Sequence, residues 1–440
     1  MILNTTVYAR EPEEIMSKLM VISSDGHATA RMRDYAPYLP ASLREEFEDF
    51  CKVYDEGGTH TFEERALSQR LDPYLVEEWK EKVIDPGRLE GNFDPAKRLV
   101  ELDKEGVAGE VLFPDFGLPF ELYSPLLAAQ LGEPPRRHPH EGNQAFNRWL
   151  ADFISHAPDR LVGLASVDFS DVDRAVREIK WAKNEGFRGI MLPMFEEDVP
   201  LWSPVYDPIW ATLADLELVA NSHVAISATT SRWVAPKYAP PHPVCLGPLF
   251  VAQVEFFCRQ ILDHMIWGGV LERHPKLQLV LTEQGSGWIP AKLKGMDYSY
   301  DGSFLRRDIR TAIKHKPSEY FARQVHIGSS LLTKAEVEIR EAIGVDKMMV
   351  GVDYPHHEGT WNGGTQDYFQ ATFGANEVPL DQAKKMLGEN AAKVFGFDVA
   401  KLQAVADRIG PEAEHILVPP AEDKFPRGDV HKPLGGANIG

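Results

Sequence analysis

Eight short apolar runs, separated by longer amphipathic stretches, constrain this chain more than any other feature of its sequence. They occupy residues 19–25, 107–113, 161–168, 186–193, 216–223, 277–283, 325–329 and 347–353. Runs of this length with helical spacing between them read as strands and helices alternating around a parallel sheet. Residues 171–185 show the unit clearly, with Ala175, Ile179 and Ala182 at helical spacing and Gly186 placed to end the helix. Eight such units predict the α/β class and a (β/α)8 TIM barrel, for which roughly 250 residues suffice. The remainder of the 440 residues then forms additions to one barrel over residues 19–410. These are an N-terminal extension (1–18), a helical insert after strand one (28–92), a lid-like insert after strand five (229–248) and a C-terminal arm (411–440). The arm holds Ile416, Leu417 and Val418 in a stretch too rich in proline to join the barrel as a helix. Burial of those three residues against a homologous or identical subunit is therefore expected, giving a homo- or hetero-oligomer.

Charge narrows the choice of partner. The 47 basic and 66 acidic residues leave a formal charge of −19, which disfavours a nucleic-acid surface and docking on anionic lipid. A small-molecule substrate is expected instead. Cys51, Cys245 and Cys258 are too few and too scattered for a disulfide framework or a zinc knuckle. Residues 1–20 lack a continuous apolar core of the signal-peptide kind, and no later run approaches a membrane span. Together these features predict a cytoplasmic protein.

In a barrel of this class the ends of the strands converge on one face, where catalytic groups lie. The first run closes on Asp25-Gly26-His27, whose period-two geometry points both side chains the same way. The fifth ends in His223, the sixth in Glu283 and the eighth in Asp353. A single His or Asp at a strand end is more often a hydrogen-bonded structural residue than a ligand. Four of them at the ends of strands one, five and eight imply a shared purpose. Asp25, His27, His223 and Asp353 are thus the candidate ligands of a divalent metal, zinc, iron or manganese. His274, in the polar entry to the sixth strand, reads as structural.

Several motifs carry a family resemblance over most of residues 21–397. They are Ile22-Ser-Ser-Asp-Gly-His27, Gly269-Val-Leu-Glu-Arg-His-Pro-Lys-Leu277, Glu283-Gln-Gly-Ser-Gly-Trp288 and Gly351-Val-Asp-Tyr-Pro-His356, supported by residues 159–163 and 390–396. On these the chain resembles amidohydrolase-related proteins, in the branch that includes aminocarboxymuconate-semialdehyde decarboxylase and related aromatic-acid decarboxylases and hydrolases. The resemblance implies the same four metal ligands, Asp25, His27, His223 and Asp353. It also exposes departures. Many relatives carry His-x-His at the first strand, whereas Asp25 here makes the centre harder and more anionic, favouring iron or manganese beside zinc. Several decarboxylases place a general-base His at the end of the sixth strand, where this chain has Glu283. The fourth strand ends Met191-Leu-Pro193, without the lysine of the binuclear amidohydrolases.

Two functions follow as expectations. The first is a metal-dependent hydrolase, or a related lyase or decarboxylase, acting on a small carboxylated or carbonyl substrate through activated water. Asp353 would serve as ligand and proton acceptor, Glu283 as acid or base, and His356 as a further catalytic group reaching the pocket. The alternative is an O2-activating monooxygenase with two iron or manganese ions. Glu283, His264, His357 and Glu358, with His356 nearby, are its spare donors, and an electron donor would be a required partner.

Overall fold

The computed structural model describes residues 18–57, 67–68, 71–115, 118–121, 137–193, 199–224, 241–242, 245–302, 306–361 and 363–421. Eight parallel strands run in sequence order around one sheet. They are β1 (Ile22–Ser23), β2 (Gly109–Leu112), β3 (Leu161–Ser166), β4 (Gly189–Met191), β5 (Val219–His223), β6 (Gln278–Thr282), β7 (Val325–Ser330) and β8 (Met348–Gly351). Each lies inside, or within one residue of, its apolar run, so the α/β TIM barrel is present as the periodicity requires. Period-two alternation divides the strand residues between two layers. Ile22, Val111, Val162, Leu164, Met191, Val219, Val280 and Met349 pack with Phe395 and Leu402, while Val21, Leu112, Ala165, Ile190, Ala220, Leu279, Leu281, Ile327 and Val350 join the larger core shared with the outer helices.

β1 is shorter than the run that encodes it because serine side chains take over part of the ladder. The Ser23 hydroxyl accepts from the Val352 amide at 3.0 Å, and the Ser24 hydroxyl donates to the Val350 carbonyl at 2.8 Å. Backbone bonds complete the seam between first and last strands, from Ser24 N to Val350 O (2.8 Å) and from Asp353 N to Asp25 O (3.1 Å).

The additions pack close to the strand ends. After β1 come a 3-10 turn at Met32–Tyr38 and helices Arg44–Gly57 and Pro73–Trp79, giving the helical insert expected there. Its Leu67, Val76, Trp79 and Val83 form a small core with Tyr354 and Trp361 from the loop after β8, so the insert braces that loop. Of the lid-like insert, 229–240 and 243–244 lie outside the described residues, as do 1–17 of the N-terminal extension and 422–440 of the arm. The described part of the arm corrects an expectation. Leu19 N donates to Pro411 O at 2.9 Å, Ala413–Ile416 forms a short helix, and Ile416 is wholly buried in the chain's own core with Leu417 packed beside it. Proline excluded a long helix there but not one turn, and the apolar stretch supplies no requirement for a second subunit. Among the described residues no helix is long and apolar enough to cross a membrane.

The helix Pro95–Glu105 approaches the strand ends and starts on a designed cap. Asp94 accepts from the amides of Ala96 (2.9 Å) and Lys97 (3.2 Å), Pro95 opens the first turn, and Gly106 closes the helix at φ +75°. Asp94→Ala is expected to cost about 1 kcal/mol. Urea denaturation would read this as a lowered midpoint at unchanged slope, and an unmoved midpoint would contradict it.

Candidate metal centre

The ends of β1, β5 and β8 bring three of the four expected ligand side chains into contact and place the fourth against them. Asp25, His27 and His223 each offer an atom within 4.8 Å of the others. His223 Nε2 lies 3.2 Å from Asp25 Oδ1, while His27 Nε2 lies 3.6 Å from Asp25 Oδ1 and 3.4 Å from Asp353 Oδ1. All four are buried. Backbone carbonyls hold the far side of each imidazole, with His27 Nδ1 3.0 Å from Pro114 O and His223 Nδ1 2.8 Å from Val224 O. That arrangement leaves both Nε2 atoms facing the carboxylates, as a metal-binding histidine requires.

Among the described residues, Asp25 Oδ2, His27 Nε2 and both Asp353 carboxylate oxygens are buried without a hydrogen-bond partner. Buried polar atoms are ordinarily paired, because an unpaired one costs a full desolvation penalty. Four converging orphans from oxygen and nitrogen donors fit a divalent cation.

The loop after β8 adds a neighbouring donor group. Glu283, Asp353, His356 and Glu358 meet within 4.8 Å, and so do His27, Asp115 and His356. His356 Nδ1 is 3.2 Å from Asp353 Oδ1, its Nε2 is 3.6 Å from Asp115 Oδ1, and its ring stacks on His27 at 4.2 Å between centroids. Backbone geometry makes this possible. Asp353 and Glu283 sit in left-handed conformation, at φ +56° and +57°, so their strands turn sharply just where the carboxylates must face inward. His356 N then donates to Asp353 O at 2.9 Å, and Trp361 Nε1 to His356 O at 2.8 Å.

Two expected donors lie elsewhere. His357 pairs with Glu358 at 2.6 Å and meets Trp79 edge-on, and His264 packs edge-on against Trp202 at 4.6 Å. The helix Leu246–Trp267 explains His264. At about 1.5 Å per residue it carries position 264 away from Cys258, whose sulfur is 3.9 Å from the His223 carbonyl. Asp115, by contrast, escaped the sequence reading, although it stands just past the end of the second apolar run.

The charges in this pocket strongly interact. Burial and the neighbouring His356 oppose charge on His27, yet Asp353, Asp25 and Asp115 outweigh them and raise its pKa above the ordinary value. Burial likewise opposes charge on His356, but Asp353 and Asp115 prevail and hold it well above the usual imidazole range. Asp353 is pushed below the carboxylate range despite burial, by His356 and then His27. Glu283 moves the opposite way, raised well above its usual value by desolvation and by the charges of Asp353 and Asp25. A cation entering the cluster would pull Glu283 back down, because its charge inverts the local balance.

Comparison with known proteins bears on this donor set. The profile of the amidohydrolase family matches residues 103–397. The chain belongs to the amidohydrolase family. A gamma-resorcylate decarboxylase from a Polaromonas species is 23% identical over 218 residues, a match spanning 48% of this chain and 64% of that protein's length. An amidohydrolase from Mycobacterium avium subsp. paratuberculosis superposes with a TM-score of 0.61 at 19% identity, covering 86% of this chain and 99% of the other. A 5-carboxyvanillate decarboxylase from Novosphingobium aromaticivorans, solved with manganese and 4-hydroxy-3-methoxy-5-nitrobenzoic acid, gives 0.54 at 18% identity, covering 86% and 96%. Likeness at these identities establishes a shared amidohydrolase barrel. Its centre is a donor set that fits a divalent metal.

Proposed function

We propose that the chain is a divalent-metal-dependent decarboxylase of a small, aromatic carboxylic acid, with Asp25, His27, His223 and Asp353 as the metal ligands. One observation supports decarboxylation over the hydrolysis also expected of such a centre. The end of β6 carries Glu283 instead of an imidazole, but His356 brings one to the same pocket, stacked on His27 and 3.2 Å from Asp353. A bound cation supplies Lewis acidity toward the substrate's oxygens. Held protonated between Asp353 and Asp115, His356 can deliver its proton to the ring carbon that bears the carboxylate. The carbon–carbon bond then breaks, its electron pair stays on the ring, and CO2 leaves, so that carboxylate plus proton gives arene plus CO2. Glu283 stands beside His356 in the same pocket as a second proton-transfer group.

The test is a panel of dihydroxybenzoates, methoxy-hydroxybenzoates, aryl amides and lactones, given to protein purified without chelators. Release of the arene with CO2, abolished by chelation and restored by Mn2+, is expected. Turnover of amides or lactones alone would replace this reading with hydrolysis.

A second reading rests on Asp353 belonging to two adjacent donor groups, the further one comprising Glu283, Asp353, His356 and Glu358. Two iron or manganese ions there, with O2 and an external electron donor, would make the chain a monooxygenase with His356 as ligand. Two metals per chain by elemental analysis, with O2 uptake that depends on reductant, would favour it. One metal per chain and no O2 uptake would remove it.

A further inference from the structure

Beneath the ligand strands lies an ion pair that the chemistry above does not use. Arg98, from the helix Pro95–Glu105, and Glu110, from β2, are both wholly buried, with Arg98 Nε 2.7 Å from Glu110 Oε2. The guanidinium does more than pair. Its Nη1 donates to the carbonyls of His27 (2.8 Å) and Gly91 (3.4 Å), its Nη2 donates to the carbonyl of Tyr354 (3.4 Å), and its carbon lies 4.1 Å from the centre of the Tyr354 ring. His27 is a ligand, and Tyr354 directly follows the ligand Asp353. The same Tyr354 carbonyl accepts from His27 N at 2.7 Å. Arg98 thus grips both sides of the seam at the two residues that deliver ligands. Gly26, between Asp25 and His27, leaves room for the grip, since a Cβ there would lie 2.2 Å from Glu110 Oε1 and 3.0 Å from Arg98 Nη2.

Stability alone does not account for this pair. Replacing both partners of a buried ion pair by apolar residues is often neutral or stabilising, because desolvation offsets most of the Coulomb attraction. What an apolar pair cannot supply is a planar fork that fixes two backbone carbonyls at once. We infer that Arg98, oriented by Glu110, is a positioning residue for the metal centre, holding the β1 and β8 ligand backbones in register so that the cation is bound tightly. This rests on the ligand assignment made above.

The test compares Arg98→Met/Glu110→Leu, Arg98→Lys and the wild type by calorimetric titration with Mn2+, alongside thermal melting by circular dichroism. The double variant is expected to fold with a somewhat lowered melting point, since the His27 carbonyl loses its donor, and to bind Mn2+ roughly 10–100-fold more weakly, the range typical for partners that orient ligands. Arg98→Lys should fall between them, because an ammonium can reach Glu110 but cannot bridge both carbonyls. Should the double variant fail to fold, Arg98→Lys decides the matter. Mn2+ affinities within about twofold of wild type in the folded variants would overturn the inference while leaving the ligand assignment standing. A wild-type chain that binds no Mn2+ would overturn both.

Discussion

His223→Ala is expected to abolish metal retention and turnover together. His223 is the sole contribution of β5 to the cluster, buried, with Nε2 3.2 Å from Asp25 and Nδ1 fixed by the Val224 carbonyl. Alanine removes one nitrogen donor and leaves the carboxylates of Asp25 and Asp353 facing each other with less compensation. Losing a residue that merely orients a ligand costs 10–100-fold in affinity or activity, so losing a ligand should cost at least about 100-fold. Elemental analysis of the purified variant and kcat/KM on the best substrate of the panel would read the two effects separately. Full metal with full turnover would remove His223 from the centre. Full metal with lost turnover would make it a substrate-binding residue instead.

Trp361→Ala should produce the largest loss of stability outside the barrel core. The indole is 1% exposed and packs edge-on to Trp79 at 5.1 Å and against Tyr354 at 5.1 Å. Its N–H satisfies the His356 carbonyl at 2.8 Å. Truncating a buried tryptophan typically costs about 3–5 kcal/mol, through lost transfer energy and the cavity left behind. Here the cavity would open between the insert and the loop that carries His356, so activity should fall as well. Trp361→Phe separates the two contributions. It keeps most of the volume and removes one of two donors to the His356 carbonyl, which still accepts from Gly359 N at 3.1 Å, so its own cost should stay near about 1 kcal/mol. Denaturant unfolding of both variants is the measurement, and a loss below about 1 kcal/mol for Trp361→Ala would show that the insert does not brace this loop.

The convergence of residues placed by strand position was legible in the sequence. Asp25, His27, His223 and Asp353 stand where an apolar run stops, and in a parallel barrel that position alone sends a side chain to the mouth. Glu283 closes the sixth run in the same way, whereas His356 was expected at the pocket because it follows Asp353 so closely. What could not be read were roles set by packing between distant segments. Arg98 sits in Pro95–Glu105 among Lys97, Lys104 and Glu101, a pattern that reads as an ordinary solvated helix face, and only tertiary closure buries it. Glu110 interrupts an apolar run, and nothing local indicates that its partner comes from the preceding helix. His264 failed the other way. Its residue type suited a ligand, but helix length carried it off. Ile416 was misjudged because proline was weighed against a long helix, when a single turn was enough to seat it in the core.

The proposed ligand positions, 25, 27, 223 and 353, bear on how the barrel is completed. Synthesis delivers β1 first and β8 last, and the seam between them closes through Ser24, Val350, Asp25 and Asp353. A nascent chain that stops before β8 has neither that seam nor Asp353, so on the proposed ligand set capture of the cation would mark the point at which the barrel has been completed. Afterwards the ion would act as a cross-link between the first and last strands of the barrel. With free metal at a thousand times its dissociation constant, mass action would add about 4 kcal/mol to the stability of the closed form. Metal supply in the cell would then set how long each molecule survives as well as how fast it works.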